Sequence, residues 1–180
     1  MTDFVEYAPG RVGAEGDGPT AAIVMRAATE ADVGDLARVR AARGGTVEEH
    51  LDAARSSIER LPVLRVAVAD GVLVGWSGAQ RFPIRSDVEP EWLVAGLTVV
   101  PELRRQGIAR RLLTEVLGAV RDLEPGVAVF SVINARNLAS IDLHERLGFR
   151  EVDRGPQLAG VTFTGGEGVL VRQDPAVGPR

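Results

Sequence analysis

The stretch from Leu93 to Asp122 constrains this chain more than any other. Leu93-Val94-Ala95-Gly96-Leu97-Thr98-Val99-Val100 is apolar on both alternating faces, as a strand covered on two sides must be. Pro101 stops it, because proline has no N–H for a sheet ladder. Beyond the turn Arg104-Arg105-Gln106-Gly107, the residues Ile108, Leu112, Val116 and Val120 recur every four positions and predict an amphipathic helix to about Asp122. Strand, tight basic turn, helix: this order aims several backbone N–H groups and the positive end of a helix dipole at one spot, which suits phosphate. Gly107 lets the backbone approach an anion with no side chain in the way, and Ala109 keeps the first turn slim. Arg104, Arg105, Arg110 and Arg111 cluster at the helix start, where positive side chains oppose the dipole and so ask for an anion. The plainer reading of that cluster is a solvated helix end. Neither Gly-x-x-x-x-Gly-Lys-Ser/Thr nor Gly-x-Gly-x-x-Gly occurs at the turn, so the common nucleotide loops do not fit.

Composition narrows the class. At 180 residues the chain suits one domain with a proper core. Only 4% of it is aromatic and its net charge is −4, which argues against stacking platforms for nucleic acid and against binding to anionic membranes. There are no cysteines, which removes disulfides, thiolate nucleophiles and zinc–cysteine sites. With two histidines far apart, a metal site is not expected. No stretch has the length of a membrane span and no secretory signal is visible, so a cytoplasmic location is the expectation.

Along the chain, residues 1–21 carry Gly, Pro and acids with no apolar period and read as a flexible extension; packing on a partner subunit of a homodimer is the alternative. Residues 22–173 read as a single domain and the tail to Arg180 as frayed. Ile23 to Arg26 reads as a strand, Thr29-x-x-Asp32 as a helix start leading to about Arg43, and Gly44-Gly45 as its break. A second helix begins near Thr46, with Val47, Leu51, Ala54, Ile58 and Leu61 on one face. Val63–Ala69 and Val72–Phe82 flank Asp70-Gly71, a two-residue hairpin signal. Pro83 to Glu91 is a polar loop before the central strand. Val127 to Ile133 reads as a strand, followed by a polar turn, a short helix closed by Gly148, a strand to about Arg154, a Gly/Pro-bearing loop, and a last strand Val169 to Arg172.

Arg104-x-x-Gly107-x-Ala109 resembles the Arg/Gln-x-x-Gly-x-Gly/Ala signature of the GNAT N-acetyltransferase superfamily, and the run from Leu97 to Ala109 looks like that family's strand and loop. A second stretch, Asn137-Leu138-Ala139-Ser140-Ile141-Asp142-Leu143-His144-Glu145-Arg146-Leu147-Gly148-Phe149, is similar to the family's Asn-x-x-Ala-x-x-Leu-Tyr-Glu-Lys-Leu-Gly-Phe. Ser140 replaces the motif's alanine, and His144 stands where the family has tyrosine. The resemblance implies the GNAT acyltransferase fold: α/β (α+β), a mixed twisted sheet of about six to seven strands flanked by about four helices. It also implies acetyl-coenzyme A as cofactor, its diphosphate at Arg104, Arg105, Gln106, Gly107, Ile108, Ala109 and Arg110. Its pantetheine would pair with backbone near Leu97, Thr98 and Val99, with Asn137 and Ser140 as further contacts.

The implied activity is N-acetyl transfer to a primary amine, on a small molecule first and a peptide amine next, by direct attack in a ternary complex. The other reading is a coenzyme A-binding regulatory or structural domain that has lost transfer, because tyrosine is absent at His144 and Val94, Ala95 and Gly96 replace the strand glutamate that the family often uses as base. His144 shares a face with Ile141 and Leu147, so it reads either as a packed histidine or as a catalytic group. Neutral near pH 7, it suits accepting the proton of the incoming ammonium, or orienting the sulfur through a neutral N–H, better than acting as an acid. Asn137 also reads as a helix cap, Asn134 as a further polar group at the strand end, and Glu89 and Glu91 chiefly as loop-solvating residues. His50 reads as surface. In the family the acceptor sits near the helix 1–helix 2 junction and the loop before the last strand, here Arg43 to Glu49 and Gly155 to Gly168; Glu48, Glu49, Glu89 and Glu91 would suit a basic acceptor by charge.

Overall fold

A computed structural model describes residues 22–85, 88–163 and 166–175. The expected extension, residues 1–21, and the tail beyond residue 175 lie outside the described residues. Seven strands form one mixed sheet: β1 (Ile23–Ala27), β2 (Val63–Ala69), β3 (Val72–Phe82), β4 (Glu91–Val99), β5 (Val129–Asn134), β6 (Arg150–Gly155) and, after a short hairpin, β9 (Gly168–Gln173). The hairpin strands are β7 (Gln157–Leu158) and β8 (Val161–Thr162). The helices are α1 (Val33–Ala41), α2 (Val47–Arg60), α3 (Ile108–Leu123) and α4 (Leu138–Arg146). Sheet order is β1-β2-β3-β4-β5-β9-β6. The described chain gathers into two compact units, residues 22–78 with 96–116, and residues 79–95 with 117–175.

In the first unit, the Asp70-Gly71 signal closes the β2–β3 hairpin with both residues left-handed, at φ 49 and 82. Thr46 caps α2 as expected: its hydroxyl accepts from Glu49 N at 3.3 Å, and Glu49 Oε2 accepts from Thr46 N at 2.8 Å. Leu36, Val39 and Ala54 from the helices, Val66, Leu73 and Trp76 from the strands, and Ile108 and Leu112 from α3 form one core. His50 lies half-exposed at the surface, and its Nε2 donates to Gly44 O at 2.8 Å, tying α2 to the connection after α1.

The helix start at Thr29 is built differently from a simple cap. A 3-10 turn, Glu30–Asp32, precedes α1, and Asp32 is buried at 6% exposure. Its carboxylate accepts two hydrogen bonds from Arg26, both at 2.7 Å, and two more from Thr29, from N at 2.7 Å and from Oγ1 at 2.9 Å. Four donors to one anion lock β1 onto the start of α1.

In the second unit, β4 runs parallel to β5, paired at Trp92↔Val129 and Leu93↔Phe130, where the ladder between them ends. β5 and β9 pair antiparallel from Val129↔Gln173 to Asn134↔Gly168, and β6 covers the far edge of β9 with an irregularity between Glu151 and Asp153. Ile84, Leu93, Leu158, Ala159 and Leu170 form this unit's core. Beside it Glu124 accepts from Trp92 Nε1 at 3.0 Å and pairs with Arg81, whose other nitrogen reaches Pro90 O at 2.7 Å. The segment after Arg154, expected as a loop, contains the β7–β8 hairpin, turned by Ala159 (φ 45) and Gly160 (φ 74). Ala-Gly is not a strong turn dipeptide, since alanine resists the left-handed region; burial of Ala159 in the core supplies the compensation.

The Asp32 cluster makes a stability prediction. Its hydrogen bonds, those from Arg26 first, lower the Asp32 pKa from 3.8 to about 2 despite burial. The folded state therefore binds its proton less readily than the unfolded chain, so this stabilisation is fully present above pH 3.8 and is lost as pH falls toward about 2. Asp32→Asn should cost about 2–3 kcal/mol at neutral pH, and the variant's deficit should shrink below pH 4; urea unfolding at several pH values measures both.

Candidate active site

The end of β4 and the start of α3 are held by backbone bonds. Val100 N donates to Val74 O at 2.9 Å, and a short 3-10 turn, Pro101–Leu103, follows. Arg104 Nε then reaches back to Val99 O at 3.1 Å, so this arginine braces the turn. Arg105 adopts φ 64 and Gly107 φ 76, two left-handed residues that reverse the chain within four positions. Ile108, 1% exposed, and Leu112, 0% exposed, sink the first turns of α3 into the core. The first helical bond runs from Arg111 N to Gly107 O at 3.1 Å, and the N–H groups before it have no acceptor within the helix. No acid occupies the first turn.

Arg105 and Arg110 are exposed and, among the described residues, make no ion pair or hydrogen bond. Arg111 has a second task beside that cluster: one nitrogen of its guanidinium donates to Ile23 O at 2.9 Å and ties α3 to β1. Between them opens a cavity of about 570 Å³ walled by Ile23 and Met25 of β1 and by Gly107, Arg110, Thr114 and Glu115 of the turn and α3. Sequence reasoning missed the β1 wall and Thr114. The helical spacing of Gly107, Arg110 and Thr114 was a usable signal; the arrival of β1 beside them was not visible without the tertiary fold. A Cβ on Gly107 would meet nothing within 4 Å, so here glycine is required by its backbone angle and leaves open space above the turn.

The second motif folds as a strand end, a turn and a helix. Asn134 Oδ1 accepts from Arg136 N at 2.9 Å, which assigns Asn134 to shaping the turn. Asn137 caps α4, its Oδ1 accepting from Ser140 N at 3.2 Å. Gly148, at φ 86, ends the helix, with its N–H on Glu145 O at 2.9 Å. His144 is 2% exposed, edge-on to Phe149 with ring centroids 4.9 Å apart.

One hydrogen bond decides what His144 can do. Nδ1 lies 2.7 Å from Ser140 O, a carbonyl that only accepts, so Nδ1 carries the proton. A neutral ring has no second N–H, and Nε2 is left as a buried lone pair without a partner. In this tautomer Nε2 can accept a proton and cannot donate one while the ring is neutral. Burial pushes the His144 pKa below 6.5, with the Ser140 carbonyl opposing the shift.

The missing strand glutamate also has a structural reason. A Cβ on Gly96 would lie 2.5 Å from the Trp76 ring, so the indole fills the space a side chain at this position would need. Ser77 Oγ donates to Gly96 O at 2.8 Å and fixes the same point. Glu49 is committed to its cap, Glu91 begins β4 half-buried, and Glu48 and Glu89 are exposed. Among the described residues no group of acids and histidines can hold a metal ion, and no helix is long and apolar enough to cross a membrane.

The acetyltransferase (GNAT) family model matches residues 38–149, more than half of the chain and both of the segments just described. This chain belongs to the GNAT family. A sequence search of curated proteins finds no match. Among solved structures, the Brucella melitensis ribosomal-protein-alanine N-acetyltransferase superposes with a TM-score of 0.67 at 24% identity, covering 84% of this chain and 99% of its own. A Salmonella typhimurium protein solved with acetyl-CoA gives 0.69 at 20% identity over 86% and 94% of the two chains. A Sinorhizobium meliloti phosphinothricin acetyltransferase in complex with acetyl-CoA gives 0.67 at 22%, over 85% and 88%.

The cofactor of this GNAT enzyme is acetyl-CoA and its chemistry is acetyl transfer. The turn fits that cofactor's diphosphate: open N–H groups, two unpaired arginines and no competing acid are what a polyanion needs. Gly107→Val should remove acetyl-CoA binding from a protein that stays folded, because valine resists φ 76. Arg105→Ala should weaken binding by about 1.5–3 kcal/mol. Calorimetry with circular dichroism as a folding control measures both; unchanged affinity in the two variants would remove the phosphate-loop assignment.

Proposed function

We propose that this protein is an N-acetyltransferase for the primary amine of a small molecule, working by direct attack within a ternary complex. The observation that carries this reading is the unpartnered, buried Nε2 of His144, a base held in one tautomer inside α4. The absence of cysteine supports direct attack, since the chain has no thiolate on which an acetyl group would first be stored.

In this reading acetyl-CoA is met by backbone near Leu97, Thr98 and Val99, by the turn from Arg104 to Arg110, and by Asn137 and Ser140. When bound, acetyl-CoA supplies the acetyl thioester and a thiolate leaving group. Arg105, Arg110 and the open N–H groups of the α3 start neutralise the diphosphate, while Arg104 holds the turn in shape through Val99 O. Asn137 uses its oxygen for the cap, which leaves its amide N–H₂ for the cofactor. Backbone N–H groups of β4 polarise the reacting carbonyl. An amine attacks only when neutral, and His144 Nε2 takes the ammonium proton, directly or through one water. The ring can do this because Ser140 O stabilises the resulting imidazolium through Nδ1–H.

The sign of the pH dependence follows. The working form is the neutral ring, so the rate should rise with pH through a pKa below 6.5. His144→Ala should lower kcat by roughly 10²-fold with little change in acetyl-CoA affinity. His144→Asn preserves an N–H for Ser140 O while deleting the titrating nitrogen, so it should stay folded, lose the same activity and lose the low-pH inflection. Thiol-release kinetics from pH 5.5 to 8.5 over an amine panel tests the proposal; wild-type kcat in both variants would make His144 a packing residue.

A further inference from the structure

Three buried polar atoms of the first unit have no partner: Arg40 Nε, Trp76 Nε1 and Thr98 Oγ1. They belong to one neighbourhood. The Arg40 guanidinium lies 4.1 Å from the centroid of the Trp76 ring, and that ring abuts Gly96 of β4. Thr98 is two residues along β4 from Gly96, so strand alternation sends its side chain to the same face.

Arg40 carries the charge of this group, and among the described residues no carboxylate meets it. Its one hydrogen bond among the described residues is from NH2 to Ser57 Oγ at 2.6 Å, and it makes no ion pair. Burial, followed by the like charge of Arg43, lowers its pKa from the usual guanidinium value. Arg40 is half-buried with its Nε fully buried, and a cation taken part-way out of water is held more cheaply when an anion meets it. The indole and guanidinium nitrogens can only donate, and the threonine hydroxyl donates as readily as it accepts. A positively charged set of donors selects a group that only accepts and is negative, and on a small amine acceptor the compact group of that kind is a carboxylate. A neutral amide or alcohol would leave the charge unanswered, and a second amine would add to it.

We propose that Arg40, Trp76 and Thr98 form the recognition site for a carboxylate on the acceptor, so that the substrate is an amino acid or a related amino-carboxylate. This rests on the N-acetyl transfer reading above and names its substrate class. Trp76 performs two tasks: it excludes a side chain at Gly96 and presents an N–H to the ligand. Arg40 is only partly buried, so its guanidinium forms the wall through which the carboxylate arrives.

The test pairs each amino acid with the amine lacking its carboxylate, L-leucine with isoamylamine and L-phenylalanine with phenethylamine, in thiol-release assays. For at least one pair kcat/KM should favour the amino acid by about 30-fold or more, the range expected for a charge-assisted carboxylate contact. Arg40→Met, checked for folding by its melting temperature, should bring the pair to within about 3-fold while acetyl-CoA affinity stays unchanged. Trp76→Phe keeps the ring, loses the N–H and should give up part of the preference. Equal or better turnover of the bare amines, or a preference that survives Arg40→Met, overturns the carboxylate site. If no member of the panel turns over, calorimetry of L-leucine and L-phenylalanine on the protein with coenzyme A decides the matter separately. Binding that disappears in Arg40→Met supports the site although the small-amine reading fails, and no binding of either overturns it.

Discussion

The burial of Ile108 and Leu112 sets the geometry of everything around the α3 start. With these two side chains held in the core, the helix cannot rotate about its axis, and its first turn presents Arg105, Gly107 and Arg110 to solvent. The same anchoring forces the chain to reverse between the end of β4 and Ile108. That reversal requires left-handed backbone at Arg105 and Gly107, and the Arg104 bond to Val99 O holds it. A helix start with open N–H groups, two unpaired arginines and no acid is a poor arrangement for an isolated protein and a good one for binding a polyanion. The GNAT phosphate turn is thus a consequence of how α3 is packed.

A single proton governs the second motif. Ser140 O takes the Nδ1–H of His144, and the ring has no other proton to offer while neutral. Where the family motif carries a phenol able to donate, this chain holds a buried lone pair, with the ring's pKa lowered by burial. The exchange of tyrosine for histidine therefore changes the direction in which a proton can move. Ser140, which stands where the motif has alanine, takes part through its backbone oxygen, so the side-chain difference does not weaken the arrangement.

Trp76 explains a departure that looks like a loss. Without the structure, Gly96 reads as a missing base. With it, Gly96 is the clearance for an indole, which in turn lies under Arg40. A glutamate at this position would have to displace the ring from the core. Where a glutamate would put an acid, the chain places an indole with a guanidinium stacked on it.

Local chemistry made much of this legible in the sequence. The Asp70-Gly71 turn, the Thr46–Glu49 capping box, the four-residue spacing from Ile108 to Val120 and the Gly148 helix stop each depend on a few neighbouring residues, and each folds as its composition dictates. The two family motifs fall into the same category, because a turn, a cap and a helix start are local objects. Long-range partners were not legible. Asp32 forms the capping box with Thr29 and is in addition the acceptor for Arg26; Arg111 also reaches Ile23 O; His50 also bonds Gly44 O. The β7–β8 hairpin was missed because its turn relies on Ala159, whose strain is offset by a core that the local sequence does not reveal. The tautomer of His144, the indole over Gly96 and the Arg40 guanidinium stacked on that indole depend on which atoms the fold brings within 3–4 Å, and spacing along the chain does not encode that. Sequence alone determined the elements and the family motifs; only the tertiary structure decided which polar atoms were satisfied, since a hydrogen bond is set by distance and direction in space.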